Sequence, residues 1–96
     1  MAAVEDVPDG GCLAVEHAGR GLVLIRTGDR VRAFENRCPH AGAPLSEGFV
    51  EQGRITCAWH GWSFDLDTGL STDELGLAVP RHDVRIEDGQ VLVQVR

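Results

Sequence analysis

The chain has 96 residues, 12 glycines and a formal net charge of −6, which together fit one small globular domain with many tight turns. Its nine basic residues are scattered along an acidic chain, and this pattern argues against binding to nucleic-acid phosphates. No apolar segment is long enough to span a bilayer. We therefore expect a single domain over residues 1–96, with neither nucleic acid nor membrane as a partner.

The N-terminus and the cysteines indicate a reducing compartment. The first residues, MAAVEDVPDGG, carry acids where a secretion signal needs basic residues followed by an apolar run. Three cysteines, an odd number in a chain without an export signal, favour metal ligation or free thiols over a disulfide framework. These features predict a cytoplasmic protein.

Apolar residues alternate through most of the chain, which predicts β-strands joined by tight turns. One strand is expected within residues 11–17, and three hairpins are expected to turn at Gly28–Asp29, Gln52–Gly53 and Asp88–Gly89. No window has the apolar spacing of a capped helix, although a short helical turn fits residues 71–79. We therefore predict an all-β domain, a small antiparallel β-sandwich.

Two segments rich in turn residues each place a cysteine close to a histidine. The first, CPHAGAPLSEG at residues 38–48, contains Cys38 and His40, and the second, CAWHGWSFDLDTG at residues 57–69, contains Cys57 and His60. The sixteen residues between His40 and Cys57 are enough for a hairpin that brings both segments to one end of the sheet. Two thiolates and two imidazoles would then converge on one site.

Several chemistries compete for these four residues. Two short loops supply few core positions, so an ordinary packing role explains the four residues poorly. A catalytic Cys–His pair needs one thiolate and one base rather than two matched pairs. Structural zinc accepts two Cys and two His, but it usually takes the cysteines from one knuckle and the histidines from another. A [2Fe-2S] cluster with two His ligands on one iron fits better, because each segment then gives each iron one ligand.

The spacing Cys38-x-His40 and Cys57-x-x-His60 resembles the Rieske signature, and the two segments are similar to those of soluble Rieske-type ferredoxins of bacterial oxygenase systems. The resemblance implies a Rieske-type sandwich with two cluster-binding loops at one end and one [2Fe-2S] cluster per chain. It also implies that Cys38 and Cys57 bind one iron while His40 and His60 bind the other, which accepts the electron. In this family a third loop, here containing Pro80, covers the cluster.

Departures from the respiratory Rieske proteins bear on the reduction potential. The additional disulfide-forming cysteines of those proteins correspond here to Ala43 and Trp59, and their Ser and Tyr hydroxyls, which bond the cluster sulfurs, correspond to Trp62 and Phe64. Fewer donors to sulfur disfavour the reduced state, so we expect a potential near the bottom of the Rieske range of roughly −150 to +300 mV. The three aromatic residues are expected to form an apolar collar that limits water, with Phe64 a candidate core residue.

The resemblance implies an electron carrier rather than an enzyme, because a cluster whose iron positions are all filled by protein has no site for substrate. The expected partners are a flavin-containing NAD(P)H-dependent ferredoxin reductase and a terminal ring-hydroxylating oxygenase, which dock transiently at the cluster end of a monomer. The chain is expected to lack the mononuclear iron site of oxygenase subunits. Two alternatives remain: a small Rieske-like subunit of a nitrite reductase or another multi-subunit oxidoreductase, and a zinc-stapled binding module without a redox role.

The other cysteine and histidines, Cys12, His17 and His82, match no ligand pattern. We expect them to be ordinary structural residues.

Overall fold

The computed structural model describes residues 2–17, 19–28, 30–37, 44–58, 61–71 and 78–94. The strands within these ranges are β1 (Ala2–Ala3), β2 (Cys12–His17), β3 (Arg20–Thr27), β4 (Arg30–Glu35), β5 (Phe49–Glu51), β6 (Arg54–Thr56), β7 (Ser63–Asp65), β8 (Arg81–Glu87) and β9 (Gln90–Gln94). Short 3₁₀ turns lie at Val4–Asp6 and Leu45–Glu47. Among the described residues, no helix has the length and apolar content needed to cross a membrane.

The strands form two antiparallel sheets. The larger sheet has the order β1-β9-β8-β4-β3-β2, and the smaller sheet has the order β5-β6-β7. The ladders between these strands are antiparallel, with β3 and β4 paired from Leu22 opposite Glu35 to Thr27 opposite Arg30. The predicted all-β antiparallel class is confirmed, as are the strand in residues 11–17 and the three hairpins.

Tight turns set the register of two hairpins. Gln52 and Gly53 have φ of 48° and 75°, and Asp88 and Gly89 have φ of 50° and 75°. Two consecutive residues with positive φ give a turn whose twist matches that of the flanking strands, and glycine at the second position adopts it without steric cost. The β5–β6 hairpin that results carries the chain directly to Cys57.

Parts of the structure differ from the predicted elements. β7 and the 3₁₀ turn at Leu45–Glu47 lie inside segments predicted to be loops. β7 forms because it pairs with β6 and buries Phe64 completely, while the hydroxyls of Thr56 and Ser63 lie 2.9 Å apart across the pair. The helical turn predicted near residues 71–79 falls mainly on residues 72–77, which lie outside the described residues.

Two groups of buried residues hold the sheets together. The site-side core joins both sheets and contains Val23, Ile25, Phe34, Leu45, Ile55, Cys57, Phe64, Leu66 and Val79. The large-sheet core contains Val7, Leu24, Val31, Ala33 and Val91. Because successive side chains of a strand point to opposite faces, β3 contributes Val23 and Ile25 to the first core and Leu24 to the second. The site-side core lies beneath the segment that begins at Cys57.

Candidate metal centre

Of the four predicted ligands, Cys57 lies within the described residues, whereas Cys38, His40 and His60 lie outside them. Among the described residues, no group of three His, Cys, Asp or Glu side chains is arranged to hold a metal ion. The ligand set therefore remains a prediction. The described residues do define the positions from which both ligand-bearing segments begin and end.

Cys57 begins a tight loop at the end of the β6–β7 hairpin. The Cys57 amide donates to the Trp62 carbonyl at 2.7 Å, and the Gly61 amide donates to the Cys57 carbonyl at 2.9 Å. Gly61 has φ of 71°, a backbone conformation that glycine tolerates best. In the sequence, His60 lies between these hydrogen-bonded residues.

Apolar side chains surround Cys57, which is 1% exposed. It belongs to the site-side core together with Phe64, which is fully buried, and Trp62 packs against this core while remaining half-buried. Phe64 is therefore a core residue. Trp62 fits the predicted apolar collar, and Trp59 lies outside the described residues. Burial of this kind keeps water away from a thiolate ligand and lowers the local dielectric constant.

The C-terminal end of the first segment packs against the start of the second. A Cβ atom placed on Gly48 would overlap the carbonyl oxygen of Thr56, the residue before Cys57. Leu45, fully buried, shares the site-side core with Cys57. The chain that follows Cys38 and His40 thus returns to the immediate neighbourhood of Cys57, as expected if the two segments lie side by side.

The two ends of the first segment are joined by side-chain hydrogen bonds. Asn36, which follows β4, donates from Nδ2 to the Ser46 hydroxyl oxygen at 2.9 Å and accepts at Oδ1 from the Ser46 amide at 2.8 Å. The Cys12 thiol donates to the Ser46 carbonyl at 3.4 Å. Burial raises the pKa of the Cys12 thiol, so it remains protonated at neutral pH and can act as this donor.

A network of polar side chains lies where β4 meets β8. His82, whose side chain is 2% exposed, lies with Nε2 3.1 Å from a carboxylate oxygen of Glu35, and the second oxygen of Glu35 is 3.5 Å from Arg20. This network gives His82 a structural role in the sheet.

A groove lies between this network and the predicted third loop. Its volume is about 500 Å³, and it is lined by Arg20, Gly21, Glu35, Arg37, Ala78 and Pro80. The Pro80 carbonyl accepts a hydrogen bond from the Glu35 amide at 3.0 Å. Since Arg37 precedes Cys38 directly, the groove lies beside the start of the first segment.

Sequence reasoning did not identify Asn36, Ser46 or Gly48. No single one of these residues carries a distinctive pattern, because their roles depend on partners 8 to 34 positions away: Gly48 on Thr56, Asn36 on Ser46 and Ser46 on Cys12. One sequence signal could have pointed to the Asn36–Ser46 pair. Asn36 is a polar residue at the end of a predicted strand, and Ser46 follows it ten positions later within a predicted turn.

The donor chemistry fits an iron–sulfur cluster with mixed ligands. Thiolates suit iron–sulfur centres, and imidazoles can replace two of them on one iron. The one predicted ligand among the described residues is buried in apolar surroundings at a hairpin loop, and the end of the other segment packs against the same place. These residues fit such a group.

Comparisons with known proteins point to one family. A family model described as Rieske [2Fe-2S] domain matches residues 1–90. The ferredoxin component of the naphthalene 1,2-dioxygenase/salicylate 5-hydroxylase systems of Ralstonia sp is 30% identical over 95 residues, which cover 98% of this chain and 91% of that protein.

Solved structures give the same result. The ferredoxin of carbazole 1,9a-dioxygenase from Nocardioides aromaticivorans IC177 has a TM-score of 0.91 at 31% identity, with 99% of this chain and 94% of that chain covered. A chain in the complex of reduced oxygenase and oxidised ferredoxin in carbazole 1,9a-dioxygenase has a TM-score of 0.89 at 30% identity, over 98% of each chain. Five other curated relatives are much longer, and this chain spans only 11–15% of their length.

Proposed function

Because this chain belongs to the Rieske [2Fe-2S] domain family, we propose that it carries single electrons on a cluster held by Cys38, His40, Cys57 and His60. The two cysteines bind one iron and the two histidines bind the other. The observation that carries the proposal is the pair of Cys–His segments in a domain whose Cys57 is buried at a hairpin loop, against the returning end of the first segment.

When bound by these residues, the cluster would supply one-electron chemistry. The protein's own residues position and shield it: the hydrogen bonds of the Cys57 backbone with Trp62 and Gly61 close the second loop, and Phe64 and Leu45 exclude water beneath it. With every iron position filled by a protein ligand or a cluster sulfide, no position would be open for substrate. The similarity to ferredoxin components is accordingly a similarity to electron carriers rather than catalysts.

We further propose that the electron comes from a flavin-containing NAD(P)H-dependent ferredoxin reductase and goes to a terminal oxygenase of the ring-hydroxylating type. Support comes from the nearly full-length similarity to ferredoxins of dioxygenase systems, one of them in a complex with its oxygenase. Docking takes place at the end of the molecule that holds Arg37 and Pro80, next to the first segment. The contact is small and transient, because a carrier must leave each partner after every electron.

We also propose the compartment and the oligomeric state in which the protein acts. Residues 1–96 act as one Rieske domain, present as a monomer in the cytoplasm. Sedimentation of the purified protein, together with its appearance in the cytosolic fraction, tests this part.

The absorption and low-temperature EPR spectra of the protein, purified without added metal, test the cluster directly. We expect a red-brown protein whose dithionite-reduced form gives a rhombic signal with an average g below that of clusters ligated only by cysteine. Cys38→Ser and His60→Ala should each abolish this signal, whereas Cys12→Ser should retain it. A colourless protein that holds one zinc ion would overturn the proposal and leave a binding module.

Electron transfer is tested by mixing the reduced protein with the oxygenase encoded nearest to it and by following cluster reoxidation. We expect rapid oxidation and no stable complex in gel filtration. A tight, stoichiometric complex with another oxidoreductase would instead indicate a fixed subunit.

A further inference from the structure

The amide, the hydroxyl oxygen and the carbonyl of Ser46 each take part in a hydrogen bond. Its amide donates to Asn36 Oδ1 at 2.8 Å, its hydroxyl oxygen accepts from Asn36 Nδ2 at 2.9 Å, and its carbonyl accepts from the Cys12 thiol at 3.4 Å. These bonds are partly buried, so solvent competes with them less than at an open surface. A residue in a 3₁₀ turn with its amide, hydroxyl and carbonyl all engaged has little freedom to move.

Asn36 is equally well anchored. Its amide donates to the Gly21 carbonyl at 3.0 Å, and the preceding residue, Glu35, donates from its amide to the Pro80 carbonyl at 3.0 Å. Asn36 is therefore fixed to the larger sheet at the point where β4 ends. The Asn36–Ser46 pair connects this fixed point to the far side of the first segment.

The Ser46 side of the connection leads directly to the second segment. Leu45, its neighbour, is buried in the same core as Cys57, and Gly48 packs on the carbonyl of Thr56. Displacement of Ser46 would therefore disturb both the length of chain that carries Cys38 and His40 and the packing beside Cys57.

We propose that Asn36 and Ser46 are positioning residues for the cluster: their reciprocal hydrogen bonds clasp the ends of the segment that carries Cys38 and His40. The inference rests on the ligand assignment proposed above. The clasp closes this loop through protein contacts alone, so less conformational entropy is lost when the ligands are ordered around the cluster. The Cys12 thiol supports the clasp from the β2 side without binding iron.

Iron release to a ferrous or ferric chelator from the intact holoprotein tests the clasp. If release requires the clasp to open, each lost hydrogen bond should accelerate it about five-fold. We expect about five-fold faster release for Ser46→Ala, which keeps the amide bond, and about twenty-five-fold for Asn36→Ala, which loses both bonds. Asn36→Asp should restore slow release, because the new carboxylate can accept from both the amide and the hydroxyl of Ser46.

A second readout separates positioning from general stability. The reduced EPR signal of Asn36→Ala should be broadened, because a loosened loop holds the His-ligated iron in a wider range of geometries. Val91→Ala, in the large-sheet core, serves as the control with a comparable loss of thermal stability, and its signal should keep the wild-type width. Equal release rates and equal line widths in Asn36→Ala and Val91→Ala would overturn the proposal.

Different experimental results would refute the ligand assignment and the clasp. Retention of the cluster in Cys38→Ser would refute the assignment. Loss of the cluster in Cys38→Ser, combined with wild-type release in Asn36→Ala, would refute the clasp and leave the assignment intact. Should Asn36→Ala not fold, Ser46→Ala and Asn36→Asp each retain at least one bond and still decide the question, since wild-type release from Ser46→Ala refutes the clasp.

Discussion

Gly48 lies directly against the backbone carbonyl of Thr56, where even a methyl group would overlap the carbonyl oxygen. The contact joins the end of the segment that follows His40 to the residue that precedes Cys57. Gly48 has φ of −85°, so glycine is needed here for its lack of a side chain and not for its backbone freedom. The end of the first predicted ligand segment thus contacts the chain just before the second, at a position that has room only for hydrogen at Cα.

Gly48→Ala tests this contact. Because the neighbouring atom belongs to the backbone and cannot rotate away, the substitution should reduce the free energy of unfolding by about 2 kcal/mol or more and lower the iron content of the purified protein. Gly21→Ala is the matched control, since nothing lies within 4 Å of a Cβ at that position. Equal iron content in the two variants would contradict the expected role of Gly48.

The ion pair between Arg32 and Asp67 should make stability depend on pH. Arg32 Nη2 lies 2.6 Å from Asp67 Oδ1, and this hydrogen bond, together with the guanidinium charge, lowers the pKa of Asp67. A carboxyl whose pKa is lower in the folded state stabilises the fold at pH above its unfolded pKa, and this stabilisation disappears as the pH falls through the folded-state pKa. Asp67 is exposed, so solvent screening keeps the effect small.

Asp67→Asn should therefore lower the midpoint of thermal unfolding by about 2 °C at pH 7. The difference from wild type should shrink as the pH falls below about 4, the ordinary pKa of an aspartate, because the unfolded chain takes up the proton first and the folded state only at lower pH. Thermal melts of both proteins from pH 7 to pH 3 measure it. A difference that grows as the pH falls would have the wrong sign.

Cys12 should react slowly with alkylating reagents. Since burial raises the pKa of its thiol, the thiolate is scarce at neutral pH, and only the thiolate is nucleophilic. In the holoprotein, iodoacetamide at pH 7 should modify Cys12 at least about ten-fold more slowly than a free cysteine. Mass spectrometry of the modified protein gives the rate, and rapid single-site labelling of Cys12 would contradict this prediction.

Matched substitutions in the two cores should separate cluster support from fold stability. Leu45 and Leu24 are both fully buried, the first in the site-side core and the second in the large-sheet core. Leu45→Ala and Leu24→Ala should each lower the free energy of unfolding by about 2–5 kcal/mol. Only Leu45→Ala should also shift the visible spectrum of the bound cluster, which is measured on folded holoprotein at low temperature. Equal spectral shifts would mean that both cores support the cluster.

The reduction potential should lie near the lower end of the Rieske range, at roughly −150 mV. Phe64 is buried and Trp62 half-buried in the core beside Cys57, and Phe64 offers no hydroxyl to a cluster sulfur. A redox titration followed by absorption measures the midpoint. A value well above zero would mean that other donors compensate for the missing hydroxyls.

Local features of the sequence predicted most of the fold. The Gln52–Gly53 and Asp88–Gly89 turns follow from residues that are adjacent in the chain, and alternation of apolar residues then predicts the flanking strands. The Cys and His spacing likewise predicts the ligand set without knowledge of the fold.

Features that depend on distant partners could not be predicted in this way. β7 has only three residues and exists because Phe64 is buried between the sheets. Ser46 resembles any polar turn residue until Asn36 and Cys12 are placed beside it. Sequence spacing predicts which groups bind iron. The packing around those segments can be seen only in the folded chain.

The buried residues of the described part of the protein are divided between two cores. Among the described residues, the larger sheet has a core of its own that does not include Cys57, whereas the smaller sheet is held to the rest through the core that includes Cys57. We therefore expect the larger sheet to keep its packing in protein that has not yet received a cluster, which near-UV circular dichroism of the metal-free protein would measure.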